Sequence, residues 1–351
     1  MTLKTSSNKP VAVIGSGSFG SAIANILAQN SEVLLYSRDS EVIKRIADTR
    51  MHRGLMLHTN ITATGDLSYI ANTCDIIFPI LPSSAFRQVI QQISPYLQPY
   101  HILIHGTKGL DLALPEGTSF EENKALCKDN IRTMSEVIME ESVVVRVGCL
   151  AGPNLAKEMV DNQPAATVVA SHFDEVIKEG ERLLRNDSFQ VYGNKDLLGI
   201  ELAGVLKNII AIASGALSGL GLGENAKGLL ISRGMIEMIY LGRALGADVH
   251  AFLGLAGIGD LVATCNSTLS RNYTVGYRLA KGETLDQILN TMEEVAEGVN
   301  TIRIAKSFSE YYNVRAPITS GLYRILFEGQ TVEKTVQTLM KIPFNVDINF
   351  L

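Results

Sequence analysis

The segment "VAVIGSGSFGSAIANILA", Val11 to Ala28, constrains the fold more than any other stretch of the chain. Val11–Ile14 is a compact β-type run, Gly15, Gly17 and Gly20 follow it, and the residues beyond carry a helical pattern. A side chain at the first of these glycines would hinder the tight turn. One at the second would obstruct a pyrophosphate, and one at the third would hold the helix away from the strand. The amino end of that helix offers unpaired N–H groups and a positive field to phosphates. A bare GxGxxG is a weak signal, but a strand before it and a helix after it make a dinucleotide-binding turn the expected reading. The turn recognises pyrophosphate rather than a redox ring, so NAD, NADP and FAD all satisfy it.

The alternation continues beyond the turn. Strand-type runs at Glu32–Tyr36, Asp75–Leu81, His101–His105, Val143–Val147, Ala166–Ala170 and Phe189–Tyr192 are separated by helical patterns, one of them beginning near Ser83. Several runs are continuously apolar rather than alternating, which favours a parallel-rich sheet covered by helices on both faces. Beyond about Asn194 the segments Leu197–Leu217, Asn225–Leu245, Tyr273–Ala280, Leu285–Leu289, Thr301–Tyr311, Thr319–Phe327 and Thr331–Leu339 all favour helix. The expectation is an α/β Rossmann-type N-terminal domain over 1–194 and a mainly α-helical C-terminal domain over 195–351. A length of 351 residues suits two cores.

With 46% hydrophobic residues the chain can fill both interiors, and a net charge of −5 gives no long-range attraction to nucleic acid or anionic lipid. The four cysteines form no CxxC pair and the six histidines no HExxH pattern, so neither a structural metal nor a disulfide scaffold is indicated. The polar leader before Val11 lacks the apolar core of a secretory signal, so a cytoplasmic location is expected. The most apolar stretch, Leu197 to Gly223, is interrupted by Glu201 and Lys207. Its uncharged remainder falls short of the about 18 residues of a bilayer span, and it reads as a buried helix without membrane association. Apolar helices of this kind serve equally as a homodimer face or as the second core.

Three separated signals carry chemistry. "HGTKGLD" puts Lys108 directly after a strand, where an ammonium can reach the ligand crevice of an open α/β sheet or simply lie at a surface turn. "ELAGVLKNIIAIASG" puts Lys207 and Asn208 in an apolar helix. Lys207 either runs its stem across apolar surface to water or lines a pocket, where it can donate a proton to a developing alkoxide and take one back in reverse. "GLAGIGDLVATCNSTLSRNYTVG" supplies Asp260, Thr264, Arg271 and Asn272. Asp260 is a charge partner for Lys207 or a helix cap, and Arg271 with Asn272 is a phosphate site or a salt bridge with a cap. After the second strand, "LLYSRDSE" brings Arg38 where NAD sites often carry an acid. Arg38 pairs with the 2′-phosphate of NADP, stacks over adenine or faces solvent.

Taken in order, "GSGSFG", "GTKGL", "AGPNLAKE", "KNIIAI", "GIGDLVATC", "SRNYTVG" and "VAEG" resemble the NAD(P)-dependent glycerol-3-phosphate dehydrogenase family across nearly the whole chain. The resemblance implies a Rossmann-type first domain and a helical second one. It also implies reversible NAD(P)-linked reduction of dihydroxyacetone phosphate to sn-glycerol 3-phosphate, which feeds glycerophospholipid synthesis. Matched motif to motif, Lys207 is the implied catalytic acid/base, and Lys108, Gly152, Asp260, Ser270, Arg271 and Asn272 are implied to face the substrate. Implied cofactor contacts are Gly15, Ser16, Gly17, Ser18, Phe19, Gly20, Arg38, Lys108, Ala151, Arg271 and Glu297. Many relatives read "SGP" where this chain has Ala151-Gly152-Pro153, so a hydroxyl is missing there while a backbone contact remains. Phe78-Pro79-Ile80-Leu81-Pro82 is an uncommon version of the family's apolar strand and Pro loop. A dehydrogenase for another small phosphorylated or 2-hydroxy acid substrate is the alternative within enzymes, and a non-catalytic dinucleotide-binding protein the alternative outside them.

The position of Arg38 generates a direct expectation. Arg38→Ala weakens NADP more than NAD in equilibrium titrations, and equal losses in both dissociation constants would defeat the phosphate-pairing reading.

Overall fold

The structure, a computed structural model, describes residues 9–114 and 126–342; the polar leader and the extreme carboxyl end lie outside the described residues. The chain packs into two compact units. The first comprises Met1–Thr107, Ser135–Leu150 and Ala156–Lys195; the second comprises Lys108–Met134, Ala151–Leu155 and Asp196–Leu351. The described residues of 108–134 and residues 151–155 therefore group with the helical segment, whereas a single cut at 194 assigns them to the sheet.

The strands are β1 (Val11–Ile14), β2 (Val33–Tyr36), β3 (Met51–His52), β4 (Leu55–Met56), β5 (Ile61–Thr64) and β6 (Ile76–Pro79). They continue with β7 (Ile102–His105), β8 (Asp111–Leu112), β9 (Ile131–Arg132), β10 (Arg146–Ala151), β11 (Ala165–Ala170) and β12 (Phe189–Asn194). Eight of them form one sheet in the order β12-β11-β10-β7-β6-β1-β2-β5. The pairs β1/β2, β1/β6, β2/β5, β6/β7, β7/β10 and β11/β12 are parallel. β1, β6 and β7 are buried at every position, as strands covered on both faces must be.

Two expectations need correction. The strand expected at Val143–Val147 starts three residues later: Val143 and Val145 are 55% and 57% exposed, and β10 runs Arg146–Ala151. Its interior demands small residues, since a Cβ at Gly148 would lie 2.8 Å from Val176 Cγ1 and 3.0 Å from the Ala170 carbonyl oxygen. The edge strand β5, "ITAT", was not expected, because only one of its four residues is buried and it lacks a continuous apolar run.

Strand order reverses around β1, which pairs with β2 on one side and β6 on the other. Open α/β sheets bind ligands at such a switch, beyond the carboxyl ends of the strands. Gly15 follows β1 there with φ +123°, and a Cβ on it would meet the Ile80 carbonyl oxygen at 2.1 Å. A Cβ on Gly20 would meet the Gly15 carbonyl oxygen at 1.9 Å, so the helix Ser18–Leu27 can begin this close to the strand only without side chains.

The second unit is built on the central helix Leu197–Gly219, which runs unbroken through Glu201 and Lys207. At 23 residues and mean hydropathy 1.7 it is long and apolar enough to cross a membrane, contrary to the shorter stretch expected, yet 94% of its most apolar window is buried inside the protein. Helix Arg271–Ala280 crosses it at backbone contact. A Cβ on Gly215 would lie 1.9 Å from the Tyr273 carbonyl oxygen, and one on Gly276 would lie 1.8 Å from that of Ile212. Helix Pro317–Phe327 receives its amino-terminal cap from another helix: the buried Glu237 carboxylate accepts from the N–H groups of Ile318 (2.8 Å) and Thr319 (2.7 Å).

The Gly215/Gly276 crossing sets the position of the residues at the start of helix Arg271–Ala280. Gly276→Ala is expected to lower stability by about 1–3 kcal/mol or more through overpacking, read as a drop in the thermal midpoint by circular dichroism.

Candidate active site

Lys108, Lys207 and Asp260 all belong to the second unit, and their side chains meet. Lys207 sits mid-helix among residues buried on all sides. Its ammonium donates to Asp260 Oδ1 at 2.7 Å and to the Thr264 hydroxyl, which itself donates to Asp260 Oδ1 at 3.0 Å. Lys108 donates to the other carboxylate oxygen, Oδ2, at 2.8 Å, and reaches the Gly152 carbonyl oxygen at 3.4 Å. The Asn208 amide approaches the Lys108 carbonyl oxygen at 3.4 Å. One carboxylate thus holds two ammoniums, and the snorkelling alternative for Lys207 is excluded by its side-chain exposure of 5%.

Asp260 can take this role because of how the backbone delivers it. The glycine-rich "LAGIG" forms a five-residue π turn, Leu255–Gly259, and Asp260 opens helix Asp260–Cys265 directly after it. The hydrogen bonds of its carboxylate go to the side chains of Lys207, Lys108 and Thr264. Burial lowers the Lys207 pKa to about 8; the Asp260 charge opposes that fall and the Lys108 charge adds to it. Burial works to raise the Asp260 pKa, but the Lys108 and Lys207 charges outweigh it and hold the carboxyl below the usual carboxylate range.

Ser270 caps helix Arg271–Ala280, its hydroxyl accepting from the Tyr273 N–H at 3.3 Å. Asn272 is buried, and its Oδ1 accepts from the Gly298 N–H at 2.9 Å. The amide is thereby oriented with oxygen inward, which leaves its NH₂ as the group to offer an anion. Gly298 must be glycine for this, since a Cβ there would lie 2.7 Å from Asn272 Oδ1 and 2.9 Å from the Asn208 carbonyl oxygen. That contact ties the anion-binding candidates to the helix turn that carries Lys207. Arg271 is held by the Val295 carbonyl oxygen (3.1 Å) and by Glu294 (3.3 Å), with its side chain 46% exposed. Glu297 begins the helix that carries Gly298. Thr264 and Gly298 had no assigned role in the sequence. The hydroxyl one helical turn beyond Asp260 is the only local hint of the first.

In the first unit, Gly15, Ser16, Gly17, Ser18, Phe19 and Gly20 lie together between β1 and the start of helix Ser18–Leu27. A Cβ on Gly106 would meet the Phe19 ring at 3.0 Å. Arg38 is exposed just beyond β2, while the neighbouring Asp39 is committed to capping helix Ser40–Thr49 through the Glu41 N–H at 2.9 Å. The acid near the second strand is therefore a cap. Lys108, Ala151, Arg271 and Glu297 belong to the second unit.

Residues 10–177 match the NAD-dependent glycerol-3-phosphate dehydrogenase N-terminus, and residues 196–337 match the C-terminus of the same family. The chain belongs to this family. A glycerol-3-phosphate dehydrogenase [NAD(P)+] from Saccharophagus degradans is 41% identical over 98% of this chain and 93% of its own length. The crystal structure of glycerol-3-phosphate dehydrogenase from Coxiella burnetii superposes with TM-score 0.84 at 31% identity, over 95% of this chain and 99% of that one. A ketopantoate reductase from Ralstonia eutropha, 14% identical with TM-score 0.54 over 94% of this chain and 99% of its own, shares the fold alone.

As a glycerol-3-phosphate dehydrogenase family member, the chain keeps two cations on one buried carboxylate, and that charge balance is measurable without substrate. Asp260→Asn strands the buried ammonium of Lys207 and is expected to cost about 3–5 kcal/mol at neutral pH. The deficit should shrink as pH rises toward about 8 and level off above it. Wild-type Lys207, supported by the Asp260 charge, keeps its proton in the folded state up to that pH, while the variant, without that charge, sheds it at lower pH. Denaturant unfolding of wild type and variant across that window checks both statements.

Proposed function

We propose that this enzyme catalyses the reversible NAD(P)-linked reduction of dihydroxyacetone phosphate to sn-glycerol 3-phosphate, with Lys207 as the acid/base. The observation that carries the reading is the buried Lys207–Asp260–Lys108 array, with an oriented amide at Asn272 linked to it through Gly298. The glycine turn at the sheet's switch point suits a dinucleotide, since its two closest backbone approaches leave no room for a Cβ at Gly15 or Gly20. A nicotinamide held there supplies or accepts the hydride at C2 when bound.

The remaining steps belong to this chain. Asn272, Arg271, Ser270 and the N–H groups opening helix Arg271–Ala280 bind the phosphate, whose binding energy orients the carbonyl. Lys207 gives its proton to the carbonyl oxygen as negative charge grows there, and takes it back from the hydroxyl in the oxidative direction. Asp260 holds that ammonium in place, and Lys108 and Gly152 complete the polar surroundings. Ser16, Gly17, Ser18, Phe19 and Arg38 are the cofactor-binding residues of the first unit in this reading; Ala151, Lys108, Arg271 and Glu297, in the second, are the further cofactor candidates that the family resemblance implies. In this reading residues 1–194 carry the dinucleotide-binding function and 195–351 the substrate and catalytic functions, with Lys108, Ala151 and Gly152 added to the latter. The enzyme works in the cytoplasm, where its product supplies the glycerol backbone of phospholipids.

Loss of absorbance at 340 nm with NADH or NADPH and dihydroxyacetone phosphate, followed by product identification, tests the activity. Absence of substrate-dependent oxidation with either cofactor would leave a binding protein. Reduction should decline and oxidation rise as pH passes through about 8, because the first needs Lys207 protonated and the second needs it neutral. Lys207→Ala is expected to lower turnover by about 10²–10⁴-fold with little change in cofactor affinity; normal turnover in the purified variant would end the proton-relay assignment.

A further inference from the structure

A histidine in the first unit, given no role so far, reaches the glycine turn. His52, in β3, is 3% exposed. Its Nε2 lies 2.7 Å from the carbonyl oxygen of Ser16, and its Nδ1 lies 3.3 Å from Arg45 Nη2 on helix Ser40–Thr49. The partners determine the proton's place. A carbonyl oxygen only accepts, so Nε2 carries the hydrogen; a guanidinium only donates, so Nδ1 is the bare nitrogen. The imidazole is neutral, in agreement with the lowering of its pKa by burial against the partial counter-effect of the Ser16 bond.

Ser16 O belongs to the peptide that joins Ser16 to Gly17, and no cis peptide occurs among the described residues. In a planar trans peptide the C=O and N–H point in opposite directions. A carbonyl fastened to His52 therefore directs the Gly17 N–H to the opposite side of the turn. Gly17 is the amino-terminal cap residue of helix Ser18–Leu27, and its own carbonyl already accepts from the Ser21 N–H at 2.9 Å. The same ring reaches Arg45 on the helix that follows Arg38, so the phosphate turn and the segment beyond β2 are joined through a single side chain.

We propose that His52 is a positioning residue for dinucleotide binding: by accepting from Arg45 and donating to Ser16 it fixes the peptide plane that presents the Gly17 N–H to the pyrophosphate. The inference rests on the cofactor reading given above. It concerns a residue that touches no reacting atom and assigns it an effect on cofactor affinity rather than on the proton transfer.

Calorimetric titration with NADH and with ADP-ribose, which keeps the pyrophosphate and lacks the nicotinamide, separates the two claims. Wild-type protein that binds neither ligand overturns the cofactor reading itself. With wild-type binding established, His52→Phe is expected to weaken both ligands by about tenfold, the scale of one lost oriented hydrogen bond. His52→Gln, whose amide can still donate to Ser16, should recover most of the loss. At saturating NADH, kcat and the KM for dihydroxyacetone phosphate should stay within about twofold of wild type, which a general loosening of the fold would not permit. Arg45→Met, which keeps the imidazole and removes the group that orients it, should fall between wild type and His52→Phe and carries the test if His52→Phe does not fold. Wild-type affinity in His52→Phe or Arg45→Met, or a His52→Gln no better than a folded His52→Phe, overturns the proposal.

Discussion

The carboxylate of Asp260 is the constraint on which the second unit is organised. Burying a lysine on a helix of leucines, isoleucines and alanines is expensive unless a counter-charge is buried with it, and a buried carboxylate is equally costly alone. Here one oxygen of Asp260 serves Lys207 and the other serves Lys108. The three residues lie far apart in sequence, so satisfying them requires the segment after β7 to leave the sheet and pack with the helices. Lys108, and Gly152 through its carbonyl oxygen, are thereby tied to the helical unit although both follow strands of the sheet. The π turn Leu255–Gly259 directly precedes Asp260, and the residue that opens the next helix turns its carboxylate to both lysines.

Glycine performs the same physical task in both units, letting backbone approach backbone where a methyl group would collide. At Gly15 and Gly20 the result is a turn tight enough to leave the amino end of a helix beside a strand end. At Gly215 and Gly276 it is a helix crossing close enough to fix where Asn272 emerges. Each helical glycine sacrifices about 1 kcal/mol of intrinsic helix preference relative to alanine. The close packing they permit offsets that loss and, at Gly298, also orients a side-chain amide.

What could be read in advance follows from the range over which each interaction acts. The glycine turn was legible because strand, turn and helix are contiguous and each has a local pattern. Lys207 and Asp260 were legible as chemistry, a charge in an apolar helix and an acid at a glycine bend, although only the fold shows that Lys108 shares the same carboxylate. The Val143–Val147 run misled because β-branched residues mark strands on average, whereas β10 lies where Gly148 must clear Val176 and needs smallness more than branching. The sequence puts Arg38 where NAD sites often carry an acid, and the fold shows the next residue, Asp39, bound to the Glu41 N–H as a helix cap. Thr264, Gly298 and His52 act through bonds to atoms distant in sequence or to backbone, and no residue pattern announces such a partner.

The shared carboxylate also bears on the acid strength of Lys207. A buried lysine paired one to one with an aspartate would hold its proton firmly, because the ion pair opposes what burial does. Lys108 changes this balance in two ways: it takes the other oxygen of Asp260, and its own charge disfavours a second ammonium nearby. Burial and the Lys108 charge together outweigh the attraction of Asp260 and bring the Lys207 pKa to about 8, where both protonation states are populated near neutral pH. A group that must give a proton in one direction and recover it in the other works best close to that balance. The second lysine thus adds to burial in holding the first below the ordinary lysine range.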